Sequence, residues 1–212
     1  MPTVRDERAF WAHQVHAHLL NTIGAAIVQS QVCEAAVRGA LPTSVDEVVR
    51  LREILRTLEE TTRVMASAAV LPAGLPDEVR ARVRAFAASH PDVAVHLAAK
   101  GRGRVGRRAA AAAVIVLTEA LQNAVRHGRP AAIEIDLSVG GGSVLLRVRD
   151  DGRGFDVAAL EAPGDRPRLG VAIMRQWADS LGGRLALSSV PGRGTQVTLH
   201  LPLDGGARAS SQ

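Results

Sequence analysis

The chain has 212 residues, a formal net charge of +5 and 47% hydrophobic residues, which supports one ordinary domain or two small ones with packed cores and argues against a disordered chain. Aromatic residues make up only 2%, Tyr is absent, and the one tight basic cluster, residues 100–108, is Gly-rich; it reads as a solvated loop, so no nucleic-acid partner is expected. A single cysteine, Cys33, excludes an intramolecular disulfide and a Cys-based zinc site, and fits a reducing compartment.

The first element opens at Thr3, an N-cap with Asp6 three residues on, and runs without Gly or Pro to Ile23. Val15, Leu19, Thr22, Ala26, Gln29, Cys33 and Ala36 alternate in steps of four and three, the seam of a helix that pairs with others. Gly39 and Pro42 break it, and Ser44 with Glu47 forms a capping box for a second long helix whose seam is Val48, Leu51, Leu55, Leu58, Thr62, Met65 and Ala69. Two such helices form an antiparallel hairpin, and covering its apolar stripe calls for a four-helix bundle made by two chains.

Pro72, Gly74 and Pro76 mark a linker, and residues 77–88 form a short amphipathic helix on Val79, Val83 and Phe86. Val93, Val95 and Leu97 alternate as a strand, and residues 109–127 are an Ala-rich helix. Its longest apolar run, residues 109–117, falls short of the ~20 residues of a spanning helix. Residues 1–10 are charged rather than apolar, so a cytoplasmic protein without direct membrane insertion is expected. Ile133, Ile135 and Leu137 form a strand, Gly140 to Gly142 turn it into Val144, Leu146 and Val148, and a helix follows over 170–181. Residues 185–189 and 197–201 close the pattern as a hairpin, giving antiparallel strands with helices on one face of the sheet.

Four short stretches carry candidate chemistry. Glu119 and Asn123 stand four apart on one helix face, where a carboxylate and an amide can share a magnesium ion that also keeps waters and phosphate oxygens. Asp150, Gly152 and Gly154 follow a strand and give a carboxylate at its end with two positions free to take positive φ, although a plain surface turn has the same residues. Leu169, Gly170 and Val171 open a helix whose unpaired amides favour phosphate. The last stretch, Pro191, Gly192, Arg193, Gly194 and Thr195, lies between two strands.

In their order and spacing these stretches resemble the nucleotide-binding boxes of histidine kinases. Residues 119–127 look like the N box, 150–155 the G1 box, 170–175 the G2 box and 191–195 the terminal glycine box. The resemblance covers residues 75–203 and implies an ATPase domain of the gyrase, chaperone, histidine kinase and MutL (GHKL) type. It implies that Asn123 holds magnesium, that Glu119 orders the metal or moves a proton, and that Asp150 accepts a hydrogen bond from the adenine amino group. Arg126, His127, Gly152, Gly154, Phe155, Leu169, Gly170, Val171, Gly194 and Thr195 would complete the pocket for ATP, with residues 155–169 as its lid. Arg168 departs from the lid's Gly-x-Gly pattern.

Residues 7–16 resemble the stretch leading to the phosphoacceptor histidine in kinases paired with LuxR-like response regulators, which makes His16 the acceptor. Those kinases place an acid next and an amide four residues after it; here Ala17 and Asn21 stand at these positions. A metal cluster of His13, His16 and His18 is the weaker reading, since no carboxylate or cysteine completes it nearby.

The expected fold is thus α+β. A dimerising and phosphotransfer helical hairpin spans 1–71, a GHKL-type α/β sandwich 72–204 and a flexible tail 205–212. The expected function is ATP-dependent phosphorylation of His16 with Mg2+ and transfer to a response regulator aspartate, in a homodimer served by a separate sensor protein. The alternatives are an ATP-binding pseudokinase, for which Ala17 speaks, and a phosphorelay intermediate. An anti-sigma serine kinase would share the N box but usually lacks the hairpin.

Overall fold

The computed structural model describes residues 74–101, 103–158 and 169–203, with single helical positions at Ile23, Ala26, Ser30, Gln31, Arg52 and Leu55. The N-terminal hairpin, His16 with Ala17 and Asn21, the 159–168 part of the expected lid including Arg168, and the tail lie outside the described residues. The chain divides into two units between Ala66 and Ser67, and the described fold belongs to the second.

Helix α1, Leu75–Ser89, opens after an extended Gly74 with Pro76 in its first turn, where a missing N–H costs nothing. Asp77 and Glu78 complement the helix dipole there and pair with Arg80 and Arg82 at 2.9 Å. Leu75, Val79 and Val83, spaced by four, bury one face. At the end the His90 ring stacks on Phe86 at 4.3 Å.

Five strands form one mixed sheet in the order β1-β2-β3-β5-β4, with β1 at Ala94–Gly101, β2 at Ala132–Gly140, β3 at Ser143–Asp150, β4 at Arg184–Ser189 and β5 at Thr195–Pro202. β1 runs parallel to β2, and the other neighbours are antiparallel. The β2–β3 hairpin turns on Gly141 and Gly142, both at positive φ, as a two-residue turn matched to strand twist requires.

Period-two alternation separates the faces. Ile133, Ile135, Leu137 and Val139 of β2, Val144, Leu146 and Val148 of β3, and Val197, Leu199 and Leu201 of β5 are buried on the inner face. The outer face carries exposed cross-strand pairs, Glu134 with Arg149 at 3.9 Å and Asp136 with Arg147 at 3.8 Å, too long and too solvated to contribute more than about 1 kcal/mol each.

Helix α2, Arg107–Asn123, contacts α1, β3 and β5, and α3, Leu169–Asp179, contacts α2, β4 and β5. Residues 109–117 of α2 are buried all round, and their Ala content lets neighbouring backbones come close. With its extension α2 runs Arg107–Gly128, 22 residues, long and apolar enough by composition to cross a membrane, which the apolar run alone did not reveal. Two thirds of its most apolar window is buried inside the domain, so it is read as the core helix here.

Two expectations are corrected. The basic segment 100–108 is not simply a solvated loop: Lys100 and Gly101 finish β1, paired with Ser138 and Val139, and Arg107 and Arg108 begin α2. The Ala-rich helix does not end regularly at His127. It widens into one π turn over Ala124–Gly128, closed by a hydrogen bond from the Arg129 amide to the Ala124 carbonyl at 3.0 Å with Arg129 at φ 50°.

Candidate nucleotide site

The C-terminal end of α2, the N-terminus of α3 and the loops after β3 and β4 meet at one end of the sheet. On α2, Asn123 Nδ2 donates to Glu119 Oε1 at 2.9 Å, so the two residues spaced by four do share a face. Glu119 is buried, at 8% exposure. Its carboxylate lies against Gly170 so closely that a Cβ there would overlap Oε1, and this contact joins the α2 pair to the first turn of α3. A methyl at that position would require the Glu119 carboxylate to move.

Because the amide nitrogen of Asn123 is committed to Glu119, its oxygen is left as the donor for a cation. Two hard oxygen groups fit magnesium, which takes few protein ligands and keeps waters or phosphate oxygens for the rest. Among the described residues no group of three or more His, Cys, Asp or Glu side chains is placed to hold a metal ion.

Asp150 is the last inward position of β3. Val144, Leu146 and Val148 precede it on the same face, which places a carboxyl in register with Ile133 on one side and Thr195 on the other. At 6% exposure, burial raises its pKa above the ordinary aspartate value. Hydrogen bonds from the Gly152 and Thr195 amides pull it back, and the charge of Asp151 adds a further push upward. The Gly152 amide sits 2.9 Å from Asp150 Oδ1.

The loop after β3 is clamped on both sides. The Arg153 amide donates to the Gly128 carbonyl at 2.8 Å, and the Gly192 amide donates to the Arg153 carbonyl at 2.6 Å. A Cβ on Gly152 would stand 2.6 Å from the Gly128 carbonyl oxygen. Of the two glycines expected to take positive φ, only Gly154 does, at φ 58°; Gly152 is required by close approach instead. In the turn after β4, the Arg193 amide donates to the Val190 carbonyl at 2.9 Å with Gly192 at φ 77°, a type II turn set by Pro191 and Gly192.

Glu119, Asn123 and Gly170 thus form one set of contacts and Asp150, Gly152, Gly154, Phe155, Gly194 and Thr195 a second, with Leu169 and Val171 flanking Gly170 in the first turn of α3. Arg126 is tied back along its helix to Gln122 at 2.7 Å, and His127 is exposed.

Three further residues emerge only here. Gly128 packs against Asp150 and Gly152. Asp151 Oδ1 accepts the amides of Ala131 and Ala132, both at 2.9 Å, and so pins the start of β2 to the loop. Ser189 bonds Phe155, Gly194 and Thr195, each at 2.9 Å. A signal for Ser189 exists in the sequence: Leu185 and Leu187 set the inward phase of β4, and a polar residue then stands in that phase, as Asp150 does on β3.

Residues 109–205 match the family model described as histidine kinase-, DNA gyrase B-, and HSP90-like ATPase. The chain is 32% identical over 103 residues to an uncharacterized sensor-like histidine kinase of Chloroflexus aurantiacus, a match covering 48% of this chain and 17% of that protein. It is 30% identical over 88 residues to sensor histidine kinase LiaS of Bacillus subtilis, covering 42% and 23%. These relatives are therefore matched over less than a quarter of their own length. Among solved structures, the Erythrobacter litoralis EL346 blue-light activated histidine kinase superposes with a TM-score of 0.62 at 20% identity, over 96% of this chain and 61% of that one. The separate histidine kinase domain of that protein gives 0.55 at 22% identity, over 92% and 91%. At such identities the likeness is one of fold.

Proposed function

We propose, from the premise that residues 109–205 carry an ATPase domain of the histidine kinase-, DNA gyrase B-, and HSP90-like type, that the chain is an ATP-dependent protein histidine kinase with His16 as its phosphoacceptor. One observation carries the nucleotide half of this reading: α2 holds the Glu119 and Asn123 pair against the glycine-opened start of α3, and its extension ends at Gly128, which packs on the buried carboxyl of Asp150.

Each group has a task in phosphoryl transfer, which depends on positioning and charge neutralisation. Asp150 accepts from the adenine amino group, and the first amides of α3 face phosphate oxygens. Asn123, with Glu119, holds Mg2+, which neutralises phosphate charge when bound. An unprotonated nitrogen of His16 attacks the γ-phosphorus, the bond to the β,γ-bridging oxygen breaks, and ADP leaves. The phosphoryl group then passes to an aspartate of a response regulator with a LuxR-like output domain.

The homodimer belongs to the same proposal. It is supported by the heptad seams and by Leu55, a seam residue that is helical and 49% exposed in the single chain. A cytoplasmic location and a separate sensor protein complete it.

Incubation with γ-labelled ATP tests the reading on wild type and His16→Ala. Acid-labile label is expected on the wild type alone. Label kept by the variant refutes His16 as acceptor. ATP-induced thermal stabilisation without phosphohistidine favours the ATP-binding regulator, which the alanine at position 17 motivates.

A further inference from the structure

Ser189 stands outside the four nucleotide-binding boxes, yet its hydroxyl joins two of them. A serine hydroxyl offers one proton and two lone pairs. The Phe155 amide donates to one lone pair at 2.9 Å, and the proton goes to the Gly194 carbonyl at 2.9 Å. The contact with Thr195 Oγ1, also 2.9 Å, must then be donated by Thr195. All three capacities are used, at a half-buried position that ends β4.

The partners matter because of where they lead. Phe155 ends the glycine loop whose Gly152 amide holds Asp150 Oδ1 at 2.9 Å. Gly194 precedes β5 and Thr195 begins it beside Asp150, and the Thr195 amide is the second backbone donor to that carboxylate. Asp150 itself has no side-chain hydrogen bond to Ser189; the coupling runs through the two backbone segments that hold it.

The close packing leaves these segments little freedom to compensate. A Cβ on Gly194 would overlap the Asp150 carbonyl, and one on Gly154 would overlap the Val190 carbonyl. A hydroxyl that fixes the separation of the two loops therefore also fixes the direction of the carboxylate between them.

We infer that Ser189 is a positioning residue that sets base selectivity, by holding the Gly152–Phe155 loop and the Gly194–Thr195 segment at the spacing that aims Asp150. The inference rests on the reading of Asp150 as the group that meets the adenine amino group. A base with a carbonyl at that place, as in GTP, presents an acceptor where Asp150 also accepts, so selectivity depends on the carboxylate's direction. A residue that only supported the fold would affect both nucleotides alike.

The test measures ATP and GTP affinity of the full chain, by competition with a fluorescent ATP analogue, for wild type, Ser189→Ala, Ser189→Cys, Ser189→Thr and Asp150→Asn. Wild type is expected to prefer ATP. Alanine should reduce the ATP-to-GTP preference about tenfold, cysteine should reduce it with side-chain size nearly kept, and threonine, which retains the hydroxyl, should restore most of it. Equal weakening of both nucleotides, or an unchanged ratio in the alanine and cysteine variants, overturns the role of Ser189. If alanine fails to fold, the cysteine and threonine pair decides by the same criterion. An unchanged ratio in Asp150→Asn overturns the reading of Asp150 beneath it, whereas a changed ratio there with none at Ser189 overturns the positioning role alone.

Discussion

Asp150 owes its properties to a strand phase. Its side chain follows Val148 into the inner layer, so desolvation dominates and raises its pKa above the ordinary aspartate value. Between the unfolded and the raised native value the folded chain binds more protons than the unfolded one, so this group's contribution to stability falls as pH rises through that window. Under the proposed role of Asp150, nucleotide binding responds in the opposite sense, because the ionised carboxylate is the stronger acceptor. ATP affinity should therefore begin to fall, on acidification, at a higher pH than an ordinary aspartate would give. Binding titrations across pH check this against Asp150→Asn, which should lack the inflection; titration of ATP's own phosphates is common to both proteins. A second residue-level prediction concerns Gly170. A methyl there meets the Glu119 carboxylate and must displace it from Asn123, so under the proposed function Gly170→Ala should weaken ATP binding more than it lowers stability, measured by calorimetry and denaturation. The placement of Glu119 and Asn123 on one helix face, of Asp150 at a strand end and of Gly170 at a helix start was legible from spacing and order. The use of Gly152 was not, because close approach to Gly128 depends on how two distant segments pack.

At the scale of elements, two turns with similar glycines should behave differently. Gly141 has φ 57° and open space around its Cβ position, so Gly141→Ala incurs only left-handed backbone strain, roughly 1–2 kcal/mol. Gly194 has φ 78°, and its Cβ position overlaps the Asp150 carbonyl, so Gly194→Ala should cost clearly more and also abolish ATP binding. Denaturant midpoints with parallel ATP titrations check the pair, and equal effects would show that the turn after β4 is not built around Asp150. Asp151 links elements as well: Asp151→Ala removes the acceptor for two amides, and because the side chain is exposed, water replaces part of the loss and about 1 kcal/mol is expected. The strands and helices of this half were legible from hydrophobic period. The parallel pairing of β1 with β2 was not, since alternation does not encode direction, and neither was the π turn at Ala124–Gly128, which no residue type specifies.

On the scale of the whole molecule, the question is whether nucleotide binding needs the part of the chain that carries His16. Every residue in the described apolar core lies between Leu75 and Leu201, with Trp177, Leu117 and Leu199 among its largest wholly buried side chains. All of them fall in the unit Ser67–Gln212, and so do all the groups of the nucleotide site. A core and a site contained in one unit predict that this unit, produced alone, unfolds in a single cooperative transition and binds ATP within about threefold of the full chain. Leu199→Ala, which empties a fully buried position where β5 meets the helices, should destabilise it by roughly 2–5 kcal/mol. Under the proposed function the isolated unit should bind labelled ATP yet not become labelled itself, since His16 is absent, and addition of the unit Met1–Ala66 should restore labelling on that partner. Broad, probe-dependent unfolding would show that the core relies on the N-terminal unit. Cooperative unfolding with normal ATP binding but label on the isolated unit would place the phosphoacceptor elsewhere than His16. The pair of fragments thus separates the capacity to bind nucleotide from the capacity to use it, which under the proposed function depends on His16 in the other unit.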